Sequence, residues 1–236
     1  MFHIVSLKHT FGFASRLSKV FSFSSSFSGE EHVPTYHEWM KDPVLLEATD
    51  SEPLSFEEEI EMQQSWRDDP KKCTFIVHST DACKAMESGQ PFLVQENLAG
   101  MVGDVNLFLS DVEEEEPEDE NDKSEEPDNP KLDLQAEIDI MIAEKECQKR
   151  GLGRAATCTM LAFGIEKLGV DRYFCKINED NIASINLFKS LGFEQCDYAA
   201  CFKQVELEIK TPFTKLKQQL ETHGAYKTIQ CPLTKS

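Results

Sequence analysis

Positive charge is scarce: 24 Lys and Arg stand against 43 Asp and Glu, for a net charge of −19. With no Lys/Arg stripe, the chain lacks the phosphate-neutralising contacts on which nucleic-acid binding rests. A basic or neutral substrate fits better. No stretch approaches the roughly 20 consecutive apolar residues that a membrane-spanning helix requires, so no membrane partner is expected. Cysteine occurs eight times, but there is no Cys-x-x-Cys and no histidine pair at zinc spacing. No metal is expected, and the cysteines read as reduced thiols of a cytoplasmic protein.

At 236 residues the chain suits one α/β domain with decorations rather than two independent domains. The acidity is uneven, because 111–130 holds twelve acidic residues and one lysine. With its prolines, that run has too little apolar surface to offset its ordering entropy. It is expected as a disordered loop (111–131) within a domain spanning 31–210. Residues 1–30 form an atypical extension: the first 29 hold six Phe, eight Ser and no Asp or Glu. Two readings are open for it, an organelle transit segment or a disordered extension, and its apolar positions mark no helical face. Residues 211–236 read as a tail.

Within the domain, 33–40 suits a short helix, and Ser55-Phe56-Glu57-Glu58 is a capping box that opens a second one. Val, Ile, Phe and Thr mark strands at 72–78 and 101–109. Further strands are expected at 132–142, 172–177, 193–198 and 201–210, with helices at 153–167 and 181–191. That order is mixed α/β.

The segment with the clearest chemistry is Gln148-Lys149-Arg150-Gly151-Leu152-Gly153. Two glycines uncover backbone N–H groups where the chain enters a helix, and free donors and the helix dipole favour an anion there. Lys149, Arg150 and Arg154 add cations suited to phosphate. A P-loop sequence is absent. Gly151-Leu152-Gly153-Arg154-Ala155-Ala156 matches the dinucleotide pattern, but eight residues separate Ile142 from Gly151 and Asp171 precedes its strand. Both departures count against a dinucleotide fold.

Gln148-x-x-Gly151-x-Gly153 resembles the pyrophosphate loop of the GNAT superfamily of N-acetyltransferases. Asn181-Ile182-Ala183-Ser184, leading to Leu187-Phe188 and Leu191-Gly192-Phe193, resembles its second cofactor motif. The runs at 31–40, 51–54, 73–77 and 101–109 are similar to the alpha/beta-tubulin N-acetyltransferase branch. The resemblance implies a GNAT fold with a mixed, mostly antiparallel sheet flanked by helices, and acetyl-CoA as cofactor. It further implies the amino termini of tubulin chains as substrate and microtubule association as setting. By the same resemblance, 138–142 splays away from 172–177, Met141 and Ile142 offer backbone groups to the pantetheine arm, and Asn181 reaches its thiol end. A helix N-cap is the other role open to Asn181. The family's first strand should precede Glu31, where the Phe/Ser-rich segment stands.

Amide formation needs a neutral amine, a base to produce it and a proton for the departing thiol. On 135–142, Ile138, Ile140 and Ile142 face one way and Glu137 and Asp139 the other. Either could take the amine proton, directly or through water. By the resemblance to a family that often places a carboxylate on this strand, Glu137 is the first choice as base and Asp139 the second; the other reading open is that both are solvent-facing strand carboxylates. Phe188 stands where many family members have a tyrosine that protonates the thiolate, so Tyr173, Tyr198 or water must serve instead, or the thiolate must leave unassisted. Trp39, Trp66 and Phe92 suit either core or an acceptor groove. His32, His37 and His78 have no carboxylate partner in sequence and read as structural. A CoA-binding contact module and an acetyltransferase for lysines or small amines are the rival functions.

Overall fold

In the computed structural model the residues described are 3–8, 20–25, 30–79, 98–112, 134–214, a few positions between 216 and 220, and 226–230. The acidic run at 113–129, Phe92, Cys83 and Cys231 lie outside them.

Three helices open the domain. α1 (Val33–Trp39) and α2 (Pro43–Ala48) each carry proline in the first turn, where a missing N–H costs nothing. Asp42 caps α2 by accepting from Val44 N. α3 (Phe56–Asp68) starts at Ser55 with both halves of the capping box formed and Glu57, Glu58 and Glu59 in its first turn. It stops before Pro70, which disfavours helical geometry at Asp69; Asp69 is extended there.

The sheet core consists of β3 (Lys72–His78), β4 (Met101–Asp111), β5 (Leu134–Ile142), β6 (Arg172–Asn178), β7 (Glu194–Ala199) and β8 (Gln204–Lys210), in the order β7-β8-β6-β5-β4-β3. Among these strands β5 and β6 are parallel and the other neighbours antiparallel. β1 (His3–Lys8), β2 (Val20–Ser25) and β9 (Tyr226–Gln230) extend the sheet beyond β3. Residues 3–8 and 20–25 of the extension and 226–230 of the tail are therefore strands. Phe23 pairs with Val77, which supplies the strand expected before Glu31.

α4 (Leu152–Phe163) runs into a π turn, Gly164–Leu168, that ends at left-handed Gly169. α5 (Ile182–Leu191) ends at left-handed Gly192. Both helices pack on one sheet face with Phe75, Val105, Leu107, Ile138, Tyr173, Cys175 and Leu207. On the other face a smaller cluster joins Tyr36, Trp39, Met40 and Leu45 to Ile76, Met101 and Met141. α1 to α3 thus cover one half of that face, and the half over β6 and β8 carries charged side chains.

Candidate active site

The site begins where two parallel strands part. β5 and β6 pair only at Gln135↔Arg172, Ala136↔Tyr173 and Glu137↔Phe174, although β5 runs on to Ile142 and β6 to Asn178. Arg172 holds the closed end: its guanidinium donates to Gln135 Oε1 at 2.5 Å, Glu208 Oε2 at 2.6 Å and Glu206 Oε1 at 3.1 Å, joining β5, β6 and β8. At the open end Trp39 Nε1 donates to Glu144 Oε1 at 2.7 Å, Lys145 meets Asp42 at 2.9 Å, and Asn178 Nδ2 donates to the Glu47 carbonyl at 2.8 Å. α1 and α2 therefore bridge the gap just beyond the ends of both strands.

The cofactor loop follows β5. Gln148 Nε2 donates to the Ile142 carbonyl at 2.8 Å and so ties the loop to the diverging strand. Gly151 is the N-cap of α4 at φ 82°, a left-handed conformation that favours glycine, and a Cβ there would meet nothing within 4 Å. The first N–H groups of α4 have no acceptor within the helix. Lys149 and Arg150 are exposed, and Arg154 donates to Ser190 Oγ of α5. Gly153 sits against Ile142 and Leu187. An open anion-binding turn beside a gap between two strands fits an acyl-CoA: Gln148, Gly151, Gly153, Lys149, Arg150 and Arg154 for the pyrophosphate, and β5 near Met141 and Ile142 for the arm. Met141 itself is buried with Tyr36 and Trp39, and Ile142 packs toward the α4 face.

The acidic face of β5 lies at the same gap. Glu137 is the last paired residue, and its carboxylate is 3.6 Å from Lys176 Nζ. Asp139 lies two residues on, unpaired toward β6, and pairs with Asn106 of β4 on the other side. Its side chain opens to solvent, but the surrounding protein and the charges of Glu137 and Asp104 push its pKa up to about 7, against the pull of Lys176. A carboxyl that titrates near neutrality can exchange protons with an amine.

The remaining site candidates each have a partner of their own. Asn181 caps α5 by accepting from Ser184 N at 3.2 Å, so its capping role is realised. Phe188 is buried against Phe193, ring centroids 5.0 Å apart. Tyr173 is fully buried and donates to the Leu161 carbonyl at 3.0 Å, too deep in the core to serve as a proton source. Tyr198 is on edge strand β7, which two strands separate from β5, and its hydroxyl donates to Glu179 at 2.6 Å. That bond raises its pKa. The structure does not bring either tyrosine to Glu137 and Asp139.

His37 does have a carboxylate partner, contrary to expectation: Nδ1 is 2.9 Å from Glu59 on α3. Trp39 and Trp66 are packing residues, Trp66 edge-on to Phe108 with Lys72 above its ring. Among the described residues no His, Cys, Asp and Glu group is arranged for a metal, and no helix is long and apolar enough to cross a membrane. Sequence reasoning missed three site residues: Asp104, Asn106 and Tyr36. The phenol of Tyr36 is kept well above its usual range by burial, then by the charges of Asp104, Glu59 and Asp139, so these groups share one space.

A mixed sheet opened between parallel strands, beside a glycine-turned helix start, defines an acyl-CoA N-acyltransferase of the GNAT class. Residues 27–194 match the model of the family described as "Acetyltransferase (GNAT) domain". "N-acetyltransferase 9-like protein" of Nematostella vectensis is 42% identical over 201 residues, covering 84% of this chain and 89% of that protein. "Alpha/beta-tubulin-N-acetyltransferase 9" of Homo sapiens is 42% identical over 180 residues, 76% of this chain and 75% of that one. The solved spermidine N-acetyltransferase from Vibrio cholerae superposes with a TM-score of 0.55 at 16% identity, over 80% of this chain and 95% of that one; this likeness concerns the fold. The chain belongs to the GNAT acetyltransferases and, within them, to the N-acetyltransferase 9 family. It is an acyltransferase enzyme.

Proposed function

We propose that this enzyme uses acetyl-CoA to acetylate the α-amino group of a protein chain, with tubulin amino termini as substrate. The observation that carries the chemistry is the position of Asp139, a carboxyl titrating near neutrality at the point where β5 leaves β6. The substrate is suggested by the name of the human relative.

When bound, the cofactor supplies an acetyl group activated as a thioester. The turn from Gln148 to Arg154 holds its pyrophosphate through the N–H groups of α4 and three cations, and the unpaired edge of β5 near Met141 and Ile142 receives the arm. Arg172 keeps β5 and β6 joined at the closed end of the gap. Asp139 removes a proton from the acceptor ammonium and leaves a lone pair on nitrogen. Glu137, already facing Lys176, contributes negative potential and raises the basicity of Asp139. The nitrogen sheds a second proton as the amide forms; with Tyr173 and Tyr198 bonded elsewhere, water carries a proton to the departing thiolate, and the proton held by Asp139 passes to solvent.

A direct test is incubation of the purified chain with acetyl-CoA and unmodified amino-terminal peptides of α- and β-tubulin, followed by thiol release and peptide mass. Acetylation of the terminal amine supports the proposal. Cofactor binding without thiol release would favour a contact module instead, the reading that the missing hydroxyl at Phe188 suggests.

A further inference from the structure

Beneath Asp139 lies a pair of polar side chains that the mechanism above does not use. On β4, Val105 and Leu107 enter the main core, so Asp104 and Asn106 point to the opposite face, where α1 and α3 cover them. Asp104 is 3% and Asn106 7% exposed. They hold each other through Asn106 Nδ2, which donates to Asp104 Oδ2 at 2.9 Å. Their other oxygens, Asp104 Oδ1 and Asn106 Oδ1, accept no hydrogen bond from any described residue. A buried acceptor without a donor costs on the order of 1–3 kcal/mol, and here there are two side by side. Asn106 is the direct cross-strand partner of Asp139 and Asp104 the partner of Met141, which puts Asp104 diagonal to Asp139.

We infer that Asp104 Oδ1 and Asn106 Oδ1, together with the Asp139 carboxylate, form a seat for the acceptor's ammonium group, so the substrate enters as a primary ammonium ion. Directly opposed side chains on neighbouring strands start about 5 Å apart, so one nitrogen between Asn106 and Asp139 reaches both. An ammonium brings three N–H donors, and the seat offers three acceptors. Acidic groups dominate around it: Glu137 and Asp139 on β5, Asp104 on β4 and Glu59 on α3, with Tyr36 on α1 a neutral phenol, Lys176 facing Glu137 and His37 facing Glu59. A bound cation relieves the mutual repulsion of these carboxylates. A proton then passes from the seated ammonium to Asp139, and Asp104 and Asn106 keep the remaining N–H groups in place. The seat therefore selects against hydroxyl acceptors and against amines already acylated.

This inference rests on the reading that the Asp139 cleft receives the acceptor, and it is tested by binding rather than turnover. The probes are a short uncharged peptide amide with one free α-amino group and its N-acetylated twin, each titrated calorimetrically into CoA-loaded protein at neutral pH. The expected result is binding of the free amine and not of the twin. Asp104→Asn and Asn106→Leu should each weaken the free amine at least tenfold and leave CoA affinity unchanged. Equal affinity of the wild type for both peptides, or unchanged amine affinity in both variants, would overturn the seat. Thiol release measured on the same samples with acetyl-CoA reports separately on acetyl transfer: an enzyme that turns over normally in both variants refutes the seat alone, and one that binds amine but never releases thiol refutes the transfer reading alone.

Discussion

Replacing Asp104 by asparagine should make the protein more stable at neutral pH and not at acid pH. Burial pushes the Asp104 carboxyl up from 3.8 to about 6, partly opposed by the bond from Asn106. The folded state therefore keeps a proton that the unfolded chain releases between about pH 4 and 6, and stability falls as pH rises through that window, then stays level above it. At about 1.4 kcal/mol for each pH unit, the ionised Asp104 costs the fold about 3 kcal/mol at neutrality. Asparagine has the same shape, carries no charge and can still accept from Asn106 Nδ2. The gain at about pH 7.5 should approach 3 kcal/mol, which for a domain of this size is about 6–12 °C in Tm, and it should shrink toward zero near pH 4. Thermal and urea melts of both proteins at the two pH values give the answer. Equal stability at neutral pH, or a gain that persists undiminished in acid, would refute the reasoning. A residue whose removal stabilises the fold while weakening amine binding is one kept for function.

Gly151→Asp should abolish CoA binding in calorimetry while circular dichroism shows an intact fold, because it sets a carboxylate in the anion turn and forces a non-glycine residue to φ 82°; unchanged affinity would move the cofactor site. Asp139→Asn should lower kcat about 100-fold or more with CoA affinity kept, whereas Glu137→Gln should cost less than Asp139→Asn; the reverse order would return the base to Glu137. Since a base must be deprotonated to act, kcat/KM of the wild type should fall as pH drops below the Asp139 value of about 7, and a flat profile down to pH 5 would exclude Asp139. Ser55→Ala removes the side-chain half of the α3 capping box and should cost about 1 kcal/mol in denaturant melts, with kcat unaffected.

Local signals were legible in the sequence. The capping box at Ser55, the glycines at 151 and 153 and the Asn181 cap act over three or four residues, and each is found where its pattern stood. The alternation along β5 put Glu137 and Asp139 on one face, and their shared field on one cleft follows from it. Features that depend on distant chain were not legible. Asp104 and Asn106 read as strand residues of unknown exposure, because their burial depends on helices formed by residues 33–68. His37 meets Glu59 across 22 residues of sequence, and Tyr198 meets Glu179 only once β7 and the end of β6 are side by side. The extension did carry one signal that was read at the wrong period: Phe21 and Phe23 alternate with Ser22 and Ser24, a strand pattern rather than a helical one. Proposing Asp139 over Glu137 as base rests on where β5 and β6 stop pairing and on the charges gathered there, which no residue pattern encodes.

The central claim, acetyl transfer to a terminal amine at Asp139, is tested most directly by incubating wild type and Asp139→Asn with acetyl-CoA and tubulin amino-terminal peptides and reading thiol release and peptide mass together. The account predicts one acetyl group on the terminal amine with wild type and almost none with the variant, at equal CoA binding. Equal acetylation by both proteins, or none by a wild type that binds CoA, would contradict it.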